Sequence, residues 1–199
     1  MRVRPLAVLL TALLPAAATA AETAETLLAW IAGEYDNHQQ VWQHRLDQAD
    51  GAMVHVHVSV DPVALGDDAA YLLRAWQIGD RNQLLAQQLY RPESRGGAAA
   101  TITRYDLGGS AIDLRSSEDG MQLPRAIASV LARMPGCVLR LTRHDNHVRA
   151  RPEQPCTDIA LPPTLRERDG FESGPDLLTL PLPAADRPLA ARRVRLISG

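Results

Sequence analysis

Val54, Val56, Val58 and Val60 alternate with Met53, His55, His57 and Ser59. A two-residue period turns one row of side chains to a core and the other to solvent, which makes a half-buried β-strand. Asp61-Pro62 is expected to end it. Similar short stretches follow at Tyr71 to Ile78, Leu84 to Tyr90 and Ala99 to Tyr105. Gly79-Asp80 supplies a turn and Pro92 a stop. Gly108-Gly109 turns into Ile112 to Leu114. Cys137 to Thr142 and His147 to Arg151 flank an Asp145-Asn146 turn and are expected to pair antiparallel. Leu177 to Leu182 and Val194 to Ile197 are the last strands, after a charged loop from Pro162 to Gly174.

Only two strong helical patterns interrupt the strands. Thr23 or Thr26 can cap the first, whose apolar face is Leu27, Leu28, Trp30 and Ile31, with Gly33 as the stop. The second runs from Leu123 to Met134, with Pro124 in its first turn, Ile127, Val130 and Leu131 on one face, and Pro135-Gly136 after it. Asn37 to Gln48 carries a weaker stripe of Val41, Trp42 and Leu46. With no βαβ alternation and no repeats, this order predicts an all-β antiparallel sandwich or barrel.

The first 20 residues read as a secretory signal peptide. Arg2 and Arg4 give a positive start, Leu6 to Leu14 an uncharged apolar run, and Ala18-Thr19-Ala20 a small-x-small cleavage site. Pro15 and the following alanines leave the run short of the about 20 apolar residues of a membrane span. Removing 20 of the 199 residues leaves 179, a single domain over 21–199. The chain holds 21 basic and 23 acidic residues, and the leader takes away two of the basic ones, so the mature charge is near −4. No basic footprint for nucleic acid remains. Every basic residue is Arg, which excludes lysine Schiff-base chemistry. The expected setting is the periplasm or outside the cell. There an isolated pair, Cys137 and Cys156, is expected to form a disulfide. Two free thiols, or one nucleophilic thiol, are the alternatives.

Catalytic signatures are absent. No Gly-x-Ser-x-Gly elbow and no phosphate-binding glycine loop occurs. His55-x-His57 puts two imidazoles on one strand face, with His144 or His147 as a third zinc ligand. The valine face is the better core, however, so both histidines are expected in solvent and no metal is expected.

Leu28-Ala29-Trp30-Ile31-Ala32-Gly33-Glu34-Tyr35-Asp36-Asn37, followed by Gln39-Gln40, resembles the opening of the CpcT/CpeT-type phycobiliprotein chromophore lyases. Tyr71-Leu72-Leu73-Arg74-Ala75, Gln87-Gln88-Leu89-Tyr90-Arg91, the Leu131 to Cys137 step and Cys156 extend the resemblance over roughly residues 27–158. It implies a calycin-like antiparallel β-barrel with an N-terminal and an inserted helix. It also implies a bilin in the barrel mouth and help in attaching it to a phycobiliprotein cysteine. The family's acidic C-terminal segment has at best a remnant in Phe171-Glu172-Ser173, and export separates this chain from bilin attachment in the cytoplasm. The competing expectation is therefore a non-catalytic periplasmic protein that binds an apolar or tetrapyrrole-like ligand without a cofactor. It has no membrane span, and a homodimer is compatible with it. Tyr71, Arg74, Tyr90, Arg91 and Arg104 are the candidates for stacking on a ring or meeting its carboxylates. Strand alternation lets only one of Tyr90 and Arg91, and one of Tyr71 and Arg74, face the pocket. Tyr71 and Arg91, which match the resemblance, are the ligand-binding pair expected.

Overall fold

The computed structural model describes residues 22–51, 53–79, 83–93, 100–108, 115–117, 120–157, 169–182 and 187–196. The leader at 1–20, Gly109 of the expected turn, and the strand expected over Ile112 to Leu114 lie outside them. Thr23 is the N-cap of α1 (Ala24–Ile31), its hydroxyl accepting from the Thr26 amide at 3.2 Å. That bond satisfies one of the donors a helix start leaves open. The chain continues as β1 (Gly33–Asp36), α2 (His38–Leu46), β2 (Val56–Leu65), β3 (Asp68–Gln77), β4 (Leu84–Glu93) and β5 (Thr101–Asp106). Next come β6 (Arg115–Ser117), β7 (Gly120–Gln122), α3 (Ala126–Leu131), β8 (Cys137–His144) and β9 (His147–Pro152). β10 (Phe171–Ser173), β11 (Leu177–Leu180) and β12 (Leu189–Leu196) complete it.

Ten strands close into an antiparallel barrel in the order β1-β12-β11-β10-β9-β8-β5-β4-β3-β2, because β1 pairs with both β12 and β2. Closure leaves no free edge in that ring. The fold is thus the all-β, calycin-like barrel expected, with a helix before it and two inserted rather than one, α2 after β1 and α3 after β7.

Two prolines do not stop their strands. β2 continues through Pro62 because that residue falls between the stretch paired by β1, 57–60, and the two residues paired in parallel by β7. β4 continues through Pro92, which lies past its last pair with β3, Tyr71 opposite Tyr90. A missing N–H removes no ladder bond on such an edge. Of the charged loop expected over Pro162 to Gly174, residues 162–168 lie outside the described residues, and Phe171–Ser173 is strand β10, paired with β9 and β11.

Alternation sorts the barrel wall. Val56, Val58, Val60, Tyr71, Leu73, Tyr90, Ile102 and Leu139 fill the interior. Val54, at 44 % exposure, lies outside that row. The outer side of the wall carries a second apolar cluster, Val63, Leu72, Leu89 and Tyr105, covered by Leu123 and Leu131 around α3. Val130, expected on the buried face of that helix, is exposed. In α2 the buried residues are Val41 and His44, while Trp42 and Leu46 face solvent.

α1 buries Leu27, Leu28 and Ile31 against the interior and closes the end from which β1 starts. Its last carbonyls are held from the barrel. The Tyr35 hydroxyl donates to the Ile31 carbonyl at 2.8 Å, and Arg193 Nη2 donates to the Trp30 carbonyl at 2.5 Å and to the Tyr35 oxygen at 2.7 Å. Burial pushes the Tyr35 phenol above its ordinary value of 10.0, outweighing Arg193, which acts the other way. Burial, then the nearby Glu25 carboxylate, pushes the Tyr71 phenol up as well. The folded state therefore holds these protons more tightly than the unfolded chain. Their contribution to stability is complete below pH 10.0 and is lost as pH rises through the raised values. Absorbance titration of the phenols should show a component displaced above pH 10.0, with thermal stability falling over the same range. A single transition at the ordinary value would contradict this.

Candidate functional site

The barrel interior is built as a packed core that includes a buried ion pair. Arg104, 1 % exposed, donates from Nη1 to Asp169 Oδ1 at 2.6 Å and from Nη2 to Oδ2 at 3.2 Å. Gly170 donates its amide to the same carboxylate at 2.7 Å. This turn requires glycine. Its φ is +101°, and a Cβ would sit 2.1 Å from the Ala150 carbonyl oxygen. Cys137 and Cys156 are disulfide-bonded, with Cα atoms 5.5 Å apart, inside the range such a bond requires. Cys137 stands opposite Arg104 in the β5–β8 ladder, and both sulfurs lie within 4.8 Å of an Asp169 oxygen. Disulfide and ion pair therefore form one cluster. Nearby, the Tyr90 hydroxyl donates to Gln88 Oε1 at 2.6 Å and its ring meets Phe171 edge-on at 5.5 Å.

The candidate ligand pair is split between the two faces. Tyr71 points into the interior and is buried there. It stands opposite Tyr90, so Arg91, one residue further, points outward. Arg91 Nη2 donates to Glu93 Oε1 at 3.3 Å, and its guanidinium lies 6.0 Å from the centre of the Tyr105 ring. Tyr71 and Arg91 cannot meet one ligand inside the barrel. Arg74 is also external, donating to Asp61 Oδ2 at 2.7 Å and lying over Trp76. Tyr90 and Arg104 are internal, but both are engaged with core neighbours.

Among the described residues, a candidate space for a ligand lies at the end of the barrel opposite α1, beneath α2. A cleft of about 330 Å³ is enclosed by Asn37, Gln40 and His44 from α2 and its cap, Met53, Val54 and Val56 at the approach to β2, Leu85 of β4, and Leu182, Arg187, Pro188 and Leu189 between β11 and β12. Its polar wall is internally bonded. Asn37 Nδ2 donates to the Val54 carbonyl at 3.0 Å and its Oδ1 accepts from the Val56 amide at 2.7 Å. Gln40 Nε2 donates to the Pro188 carbonyl at 3.0 Å while Oε1 accepts from the Ala190 amide at 3.1 Å. His44 Nε2 reaches the Gly51 carbonyl at 2.9 Å, and its Nδ1 accepts from Arg187 Nη1 at 3.5 Å. These bonds fix α2 across the barrel end. They leave the cleft an apolar surface of Met53, Val54, Leu85 and Leu182, with Arg187 and Asp50 at its charged rim.

Strand patterning places Val54, Val56, Leu85 and Leu182 on expected strands but does not bring them together, since the cleft residues come from four separated segments. The one available signal was Asn37, Gln40 and His44 at i, i+3 and i+7, a shared helix face. His55 meets Asp36, and His57 stacks on Trp76 at 5.9 Å. His144 is exposed beside Asp145, far along the chain from both. Comparison with family models and with curated proteins finds no match to this chain.

Proposed function

We propose that the chain is a non-catalytic binding protein, acting in the periplasm or outside the cell, for a small apolar ligand with an anionic end. The observation that carries this reading is the cleft beneath α2, whose polar wall groups bond to one another and leave apolar side chains facing the space. Its volume, about 330 Å³, falls at the lower end of ligand pockets. It suits a whole small molecule or one end of an elongated one, such as a tetrapyrrole or an acyl chain. Arg187 at the rim is placed for a carboxylate. The disulfide supports an oxidising compartment. The chromophore-lyase reading rests on the resemblance over residues 27–158, and a bilin is therefore one arm of the test.

Native mass spectrometry with a linear bilin, haem and a fatty acid, followed by calorimetry, should find one ligand per chain. Leu85→Trp fills the cleft and Arg187→Ala removes a charge-assisted bond of roughly 1.5–3 kcal/mol. Each should weaken binding by about tenfold or more. Arg91→Ala, on the outer face, should leave affinity unchanged. Binding that survives Leu85→Trp at full strength, or loss of binding with Arg91→Ala, would move the site elsewhere.

A further inference from the structure

A second constellation lies on the outside of the barrel, where β1 ends, α2 begins and the chain approaches β2. His55 Nε2 is 2.9 Å from Asp36 Oδ1 and 3.0 Å from Oδ2. The His38 ring stands 5.3 Å from the His55 ring, inclined at 57°. One nitrogen from each ring and an Asp36 oxygen all lie within 4.8 Å of one another. We propose that Asp36, His38 and His55 form a binding site for a divalent metal ion of the zinc class.

Two imidazoles and one carboxylate are the ligands such ions take, whereas calcium and magnesium favour all-oxygen sets. Zinc binds these donors at about 2.0–2.2 Å, so tetrahedral donor pairs stand roughly 3.3–3.6 Å apart; the 2.9 Å His55–Asp36 contact opens slightly to admit the ion, and the His38 nitrogen closes on it. His38 is exposed, so a side-chain rotation supplies that closure. The other two are held by the backbone. Asp36 stands opposite His57 in the β1–β2 ladder, and its carboxylate accepts from the His38 amide at 2.6 Å. Asn37 bonds to the Val54 carbonyl and to the Val56 amide, clamping the chain on both sides of His55. Three protein ligands at a partly exposed position leave a coordination place for water or a small anion. His57, stacked on Trp76, stays outside the donor set. Sequence pattern alone pairs His55 with His57, with His144 or His147 as a third ligand, and on that set no metal is expected. Folding instead brings Asp36 and His38, 19 and 17 positions before His55.

The alternative is a surface His–Asp ion pair, worth little to stability and indifferent to metals. The two are separated by titrating the untagged, chelator-treated chain with zinc chloride in a calorimeter and with cobalt(II) in a spectrophotometer. The expected result is one equivalent of zinc and the visible absorption of imidazole-bound cobalt(II). His55→Ala, Asp36→Asn and His38→Ala should each weaken zinc by about tenfold or more. His38 is exposed, so its replacement leaves the fold intact and makes that variant decisive. His144→Ala, at the β8–β9 turn, should change nothing. No stoichiometric zinc uptake, or uptake unchanged by His38→Ala and His55→Ala, would overturn the site.

Discussion

Asp169→Ala should lower the unfolding free energy by about 3–5 kcal/mol, the cost of leaving one half of a buried ion pair behind. The size follows from the surroundings. Arg104 is always charged and only 1 % exposed, so removing the carboxylate takes the Asp169 counter-charge from a guanidinium held out of solvent. Its bidentate bonds to Asp169 bridge β5 and the start of β10, 65 residues apart in the chain. The same substitution removes the acceptor for the Gly170 amide. The pair itself is a different matter, since matched apolar replacements of buried pairs are often neutral. Arg104→Met combined with Asp169→Leu should therefore recover most of the loss. Urea unfolding of the three proteins measures both effects. A loss below about 1 kcal/mol for Asp169→Ala, in the range of a surface pair, would show that the pair is hydrated.

Replacing Cys137 and Cys156 by Ser should cost about 3 kcal/mol. The bond closes a loop of 19 positions, and in the chain-entropy model the unfolded state gains that freedom when it is cut. Cys137 is the first residue of β8 and Cys156 follows the end of β9, so the bond staples the open side of a hairpin. Because its sulfurs adjoin Asp169, this loss and that of Asp169→Ala should not add. Contacting residues couple by about 0.5–3 kcal/mol. Thiol titration of the denatured, unreduced protein should find none reactive, as no described cysteine is free. Equal denaturation midpoints for oxidised and reduced protein would contradict the assignment.

Sequence pattern carried the barrel because alternation is local. The valine row of β2, the pairing across Asp145-Asn146 and the cap at Thr23 each involve a few consecutive residues. What it missed depends on partners distant in sequence. β1 is only four residues long and is a strand because β2 and β12 flank it. β10 sits in a charged stretch and is ordered by β9 and the turn at Gly170. Pro62 and Pro92 read as stops until the missing edge partners are known. Arg91 followed from the resemblance, but the register with Tyr71 places it on the other face. The cleft is assembled from segments more than a hundred residues apart, joined by Gln40 to Pro188 and Ala190.

Methyl NMR of the chain with whichever of bilin, haem or fatty acid binds tests most directly where ligands go. The packed interior and the open cleft predict shifts at Met53, Leu85, Leu182 and Leu189, with Leu73, Ile102 and Leu139 unmoved. Shifts confined to those three interior residues would contradict the account.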